Sequence, residues 1–226
     1  MYEHIDLNNT PSLKQLVYAN LLRQIVSGKL PPNTRLLETD IAKAMNVSRV
    51  PIREALNMLE RDGFTKIIPH KGSIVADITP QSISEIWELR SILEPYAARE
   101  SCRSIPKDVL LSLSEQLKEL AQNPEDFDKY IETDCEVHGV LYRFHKNKYL
   151  ADILAKLTSH SIRTQWGTGH QDKNSEEYLL SIQEHMAIIE ALLECDPDTV
   201  YHAVFDHIKK SESRLLDEIG ACQEST

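Results

Sequence analysis

Several things are scarce in this chain, and each scarcity narrows what it can be. Only 7 of its 226 residues are glycine, which excludes a collagen-like chain. The four cysteines, Cys102, Cys135, Cys195 and Cys222, stand far apart with no Cys-x-x-Cys pair, so four free thiols are expected. Long apolar runs are missing: stretches such as Val109–Leu111 and Met186–Ile189 fall far short of the roughly 18 residues of a membrane span. Residues 1–11 have neither a basic start nor an apolar block, so no secretory signal is expected and the cytoplasm is the expected location. What is present suits a folded protein: 41% hydrophobic residues can build a core, and 27% charged residues is ordinary. The length fits one or two domains at roughly 100–200 residues each. Net charge is unevenly spread, +2 over residues 1–78 and −12 over residues 79–226, within a total of −10. A mildly basic head on an acidic body suggests two partners, one of them a polyanion.

Hydrophobic spacing divides the chain in the same place. Leu13, Val17, Leu21 and Ile25 recur every fourth residue and predict a helix from Ser12 to Ser27, ended by Gly28. A short helix, Glu38 to Met45, has two acids in its first turn, where they suit the helix dipole. Asn46-Val47 forms a turn. Ser48 then caps a third helix running to Asp62, with Pro51 in its first turn and Ile52, Ala55, Leu56 and Leu59 on one face. The period changes at Phe64–Pro69 and Ser73–Ala76, two short strands joined by His70-Lys71-Gly72. Three short helices and a hairpin describe a winged helix-turn-helix over residues 1–78. From Pro80 onward the pattern is helical throughout, with helices expected at Pro80–Ser101, Lys107–Gln122, Asp126–Lys146, Tyr149–Gly167, Ser175–Glu194 and Asp198–Gly220. The expected fold is therefore mainly α, a winged head followed by an all-α bundle over residues 79–226.

In a helix-turn-helix the second helix enters the major groove and its first residues reach the base edges. Here that helix opens Ser48-Arg49-Val50-Pro51-Ile52-Arg53. Arg49 and Arg53 are one turn apart and off the apolar stripe, and a guanidinium fork fits guanine or phosphate. Ser48 and the backbone N–H groups beside it can take a phosphate. The competing reading leaves both arginines on the surface, paired with Glu54 and Glu60. The motifs Leu37-Glu38-x-x-Ile41-Ala42, Val47-Ser48-Arg49-x-Pro51-Ile52-Arg53-Glu54-Ala55-Leu56, Leu59-Glu60-x-x-Gly63 and His70-Lys71-Gly72-x-x-Val75 together resemble the DNA-binding head of GntR-family transcriptional regulators. That resemblance implies operator contacts from Ser48 to Pro51, Arg53 and the wing residues His70, Lys71 and Gly72. Some members carry a further DNA-contacting arginine where this chain has Thr39, which implies a different operator preference.

In the body, Asp134 and His138 are four apart and share one helical face, with His185 and His207 on two later helices. One carboxylate and three imidazoles converging in a bundle core suit zinc, nickel, manganese or iron. Spacing alone leaves His145, His160, His170 and His202 equally available. The order Asp134-x-x-x-His138, Glu184-His185, His207-Ile208 resembles the FadR-like group of the same family, whose all-helical FCD domain binds a metal. The resemblance implies Asp134, His138, His185 and His207 as ligands; among the candidate ions zinc is preferred, and Cys135, next to Asp134 on the helix, points elsewhere and is left out. It also implies that Arg90 faces an effector pocket, the other reading being a helix pair with Glu94. Arg163, near Trp166, is a second candidate to clamp a carboxylate, with a surface role as the alternative.

The expected function is a metabolite-responsive regulator, in the repressor role, that binds a palindromic operator as a homodimer and takes a small carboxylic acid on its metal. A sensor of the metal itself is the second reading. A metal-dependent hydrolase with Glu136 or Glu184 as base is the third; no His-Glu-x-x-His motif supports it and it leaves the winged head unexplained. No enzyme is expected.

Overall fold

The computed structural model describes residues 11–68, 72–167 and 175–224 and divides into two compact units, residues 1–77 and 78–226. In the first unit the four-residue ladder does form a helix, α1 (Leu13–Val26), which buries Val17, Leu21 and Ile25. The side chain of Gln15 reaches back to the Ser12 amide at 2.7 Å and satisfies one of the donors exposed at the helix start. Helix α2 (Glu38–Met45) ends on Asn46, whose φ of 52° turns the chain back. Helix α3 (Arg49–Arg61) buries Ile52, Ala55, Leu56 and Leu59. Ser48 occupies the cap position of α3, but its hydroxyl makes no capping bond, so the expected cap interaction is not formed.

A three-stranded antiparallel sheet completes the head. Strands β2 (Thr65–Ile68) and β3 (Gly72–Val75) form the expected hairpin, and β1 (Arg35–Leu36) adds on the other side of β3. Gly72 has φ 84°, a backbone setting that side chains rarely adopt. The apolar faces of α1, α2, α3 and the sheet meet in one core around Ile52, Leu59, Phe64 and Val75.

The second unit is helical throughout its described residues: α4 (Pro80–Ser101), α5 (Lys107–Gln122), α6 (Phe127–Arg143), α7 (Lys148–Gly167), α8 (Ser175–Glu194) and α9 (Pro197–Glu224). Thr79 starts α4 by accepting the Ser82 N–H at 3.1 Å, with Pro80 at the first helical position where its missing donor costs nothing. Among the described residues no helix is long and apolar enough to cross a membrane. Helix α4 packs against α9, α7 and α6, while α6 and α9 each also touch α8. Four helices, α4, α6, α8 and α9, therefore share an interior, walled by buried Ile83, Val137, Leu141, Ile182, Ile188 and Val204. The polar side chains buried on those four helices include Arg90, Glu94, Asp134, His138, His185 and His207.

Candidate metal centre and nucleic-acid interface

Asp134 and His138 on α6, His185 on α8 and His207 on α9 are all buried, none more than 4% exposed. The Nε2 atom of His207 lies 3.2 Å from that of His185 and 3.3 Å from that of His138. Asp134 Oδ1 lies 3.5 Å from His185 Nε2 and 3.9 Å from His138 Nε2. Among the described residues the ligand atoms of His138, His185 and His207 form the group compact enough for an ion, all within 4.8 Å of one another, with Asp134 at its edge.

The opposite nitrogens of two of these rings decide the chemistry. His138 Nδ1 is 2.7 Å from Glu94 Oε2, and His207 Nδ1 is 2.9 Å from Glu184 Oε2. Burial alone would raise both carboxyls. The charge of Arg90, with hydrogen bonds from His138 and Arg90, outweighs it at Glu94, and hydrogen bonds from Arg214 and His207 do so at Glu184, holding each at about 2. Both carboxylates are thus ionised acceptors, so each Nδ1 must carry the proton and donate. Burial lowers the pKa of His207 and lowers that of His185 far below the usual value, leaving neutral rings. With Nδ1 of each ring turned to a carboxylate, the Nε2 atoms of His138 and His207 are left facing each other at 3.3 Å. A metal ion between them would take one lone pair from each ring while Nδ1 keeps its proton. Ligands about 2.0–2.1 Å from one tetrahedral ion stand about 3.3 Å apart, which matches the spacing found. The donor set and its spacing therefore fit a divalent transition metal.

Sequence reasoning missed this outer layer, in which carboxylates orient ligand imidazoles. Arg214 grips Glu184 with two bonds of 2.8 Å, and it lies seven residues beyond His207, on the same face of α9. Arg90 Nε donates to Glu94 at 2.6 Å and Nη1 to Ser161 at 2.5 Å, while Nη2 lies 3.3 Å from both ring nitrogens of His138. The helix-pair reading of Arg90 is the one the contacts show: it pairs with Glu94, and that pair stands beside His138. Arg163 is buried on α7, so the surface alternative is corrected. A cavity of about 30 Å³ is lined by Trp87, Tyr130, Ser181 and Arg214 among others. The indole N–H of Trp87 is buried there without an acceptor among the described residues.

Burial also separates the other histidines. His145 and His160 are half-buried outside the cluster, His202 is exposed, and His170 lies outside the described residues. Cys135 stays outside the cluster, its thiol pushed up to about 12 by burial and by the charge of Asp134. Neither proposed hydrolytic base is placed for that work: Glu184 is bound to His207 and Arg214, and Glu136 pairs with Arg143 at 2.9 Å on the surface.

In the head, Arg49, Val50 and Arg53 are exposed at the start of α3, and Pro51 is half-buried. Their expected surface partners are corrected. Glu54 lies 3.6 Å from Lys14, and Glu60 accepts the Ile67 amide. Both arginines instead turn to Glu38 at the start of α2, Arg53 through Nε at 2.9 Å and Nη2 at 3.0 Å, Arg49 at 3.2 Å. Those charges and bonds, Arg53's first, hold the Glu38 carboxyl below its ordinary range. Thr39, Arg49, Arg53, Ile67 and Gly72 line one open groove between α3 and the hairpin. His70 and Lys71 lie outside the described residues.

Comparison with known proteins agrees with this geometry. The family model "Bacterial regulatory proteins, gntR family" matches residues 13–75, and the FCD domain model matches residues 85–210. The HTH-type transcriptional repressor RspR of Escherichia coli is 29% identical over 210 residues, covering 92% of this chain and 91% of that protein. The solved structure of E. coli McbR/YncC superposes with a TM-score of 0.81 at 22% identity, covering 93% of this chain and all of that one. The Zn2+-bound FCD domain of TM0439 superposes over 64% of this chain and 98% of its own, with a TM-score of 0.53 and 18% identity. With one model matching its head and the other more than half its length, the chain belongs to the gntR family of bacterial transcriptional regulators that carry an FCD domain, and it is not an enzyme.

Proposed function

We propose that this regulator is a metabolite-responsive repressor that binds a palindromic operator in the cytoplasm as a homodimer, with its helical unit taking a metal ion and a small carboxylic acid. The observation that carries the reading is the pair of Nε2 atoms at 3.3 Å, each ring held by a carboxylate on its far side. His138, His185, His207 and Asp134 would hold the ion, zinc by preference, and the ion would supply a positive centre for an oxygen anion. The zinc-bound FCD domain of TM0439 supports that preference.

Around that centre the chain's own residues suit a carboxylate. Arg90 is anchored by Glu94 and Ser161 and keeps its Nη2 end beside His138, ready to bond an acid held there. Arg163 on α7 is the second cation assigned to the acid. Trp87 offers a buried donor that lacks an acceptor. The cavity of about 30 Å³ is lined by Trp87 and Arg214 but by none of the four ligands, nor by Arg90 or Arg163, so an acid held at the centre must shift side chains to make room. That requirement gives the ligand different affinities for different arrangements of the helices, without which it could move no equilibrium.

In the head, Arg49 and Arg53 would exchange Glu38 for guanine or phosphate, with Ser48, Val50 and Pro51 at the groove edge and His70, Lys71 and Gly72 on the adjacent backbone. Exposed Leu89, Ile92 and Tyr96 on α4, and Tyr149 and Ile153 on the neighbouring α7, give a self-association face for a two-fold dimer. The test is operator binding by fluorescence anisotropy on metal-loaded protein, with small organic acids screened by thermal shift. Acids that stabilise the protein and release the operator, and that lose both effects in His185→Ala, are expected. Control of operator binding by chelation alone, with no acid active, would favour the metal-sensing reading.

A further inference from the structure

The thiols take no part in the site described above. Cys102 ends α4 and Cys195 ends α8, 93 residues apart, yet the Cys195 thiol donates to the Cys102 sulfur at 3.4 Å. Cys102 is buried and Cys195 is half-buried. Cys195 has a φ of 56°, a left-handed helix end where glycine is the usual choice. The chain nevertheless carries a side chain there, directed at another thiol. A disulfide has sulfurs about 2.05 Å apart, so the pair needs a further approach of about 1.4 Å. Burial raises the Cys102 thiol, and contact with Cys195 raises it further, so the more open Cys195 is the one that meets an oxidant first.

We propose that Cys102 and Cys195 are a redox pair that closes to an intramolecular disulfide on exposure to a peroxide. The Cys195 thiolate attacks one peroxide oxygen, the O–O bond breaks, and the other oxygen leaves as hydroxide that takes up a proton, giving a sulfenic acid and water. The Cys102 sulfur then attacks the sulfenic sulfur. The S–O bond breaks, the departing hydroxide takes the Cys102 proton, and a second water leaves with the S–S bond formed. Two thiols lose two electrons and two protons, and one hydrogen peroxide becomes two waters. A small thiol reverses the bond by exchange, so in a reducing compartment the bridge is transient. It would tie the end of α4, which carries Arg90 and Glu94, to the end of α8, which carries Glu184 and His185. Peroxide would thereby restrain two walls of the buried cluster.

The test treats reduced full-length protein with stoichiometric hydrogen peroxide, followed by alkylation, digestion and non-reducing mass spectrometry. The expected product is a Cys102–Cys195 peptide pair lighter by two hydrogens, in a chain that still runs as a monomer without reductant. Its Tm should rise by roughly 10 °C and return with dithiothreitol, as closing so long a loop predicts. In Cys102→Ser, Cys195 should be trapped as a sulfenic acid by dimedone; in Cys195→Ser, Cys102 should remain open to alkylation after unfolding. Oxidation of Cys135 before the pair, bridges between chains, no loss of thiol, or unchanged loss of Cys102 in Cys195→Ser would each overturn the proposal.

Discussion

Replacing Glu94 by glutamine changes one oxygen to nitrogen and should damage two properties at once. Glu94 is fully buried and accepts Arg90 Nε at 2.6 Å and His138 Nδ1 at 2.7 Å. Its carboxyl is held at about 2 against an ordinary 4.5. That displacement corresponds to about 3 kcal/mol favouring the charged form, and it agrees with the roughly 3–5 kcal/mol lost when a buried ion pair is broken by removing one partner. At roughly 2–4 °C per kcal/mol for a protein of this size, the metal-free variant should melt about 6–12 °C lower. The second effect concerns the proton on His138. If the amide oxygen of the substituted side chain stays with Arg90, its NH2 faces Nδ1, which must then accept, so the proton moves to Nε2. A protonated Nε2 cannot bind a metal, and losses of about 10–100-fold in metal affinity are usual when an outer-layer partner is removed. Competition titration of zinc against a chelator measures the affinity, and thermal denaturation of the chelated protein measures the stability. Wild-type zinc affinity in Glu94→Gln would refute the tautomer argument, whatever happened to the melting temperature.

Other outcomes follow from the same geometry. Arg49→Ala and Arg53→Ala should each weaken operator binding by roughly 5–150-fold if the side chain reads a guanine, and should leave melting unchanged because both arginines are exposed. Equal weakening on any duplex, with a shallower salt dependence, would assign that arginine to phosphate instead. Arg214→Ala should cost zinc affinity, since Glu184 then loses both 2.8 Å bonds and His207 loses its fixed partner; unchanged affinity by the same titration would count against the outer layer. Ile92→Asp, a charge placed on an exposed apolar face of α4, should convert a dimer to monomer by analytical ultracentrifugation, and a dimer that persists would move the interface elsewhere.

Much of the fold was legible because spacing along the chain reports burial. Val17, Leu21 and Ile25 of the α1 ladder and the single apolar face of α3 are the faces that the structure buries, while Leu13 at the start of the ladder stays exposed. Strand β1 was not legible. It is two residues long, and only β3 makes Arg35 and Leu36 a strand. In the body, spacing placed Asp134 and His138 on one face but could not choose among seven histidines; the family resemblance chose three, and burial together with convergence separates the same three. The outer layer was hidden for a related reason. Arg90 and Glu94 look like any helix pair four residues apart, and only the approach of α6 and α7 turns that pair toward His138 and Ser161. Glu184 stood in plain view beside His185, but adjacent residues on a helix point different ways, and its partner proved to be His207.

The central claim is that the lone pairs gathered between α6, α8 and α9 surround an ion, and X-ray absorption at the metal edge of the purified protein tests it most directly. One zinc or similar ion per chain is predicted, with nitrogen and oxygen neighbours near 2.0–2.1 Å, a histidine scattering pattern and no sulfur. The signal should be lost in His207→Ala. Protein that carries no metal after incubation with zinc, or a spectrum dominated by sulfur ligands, would contradict the account.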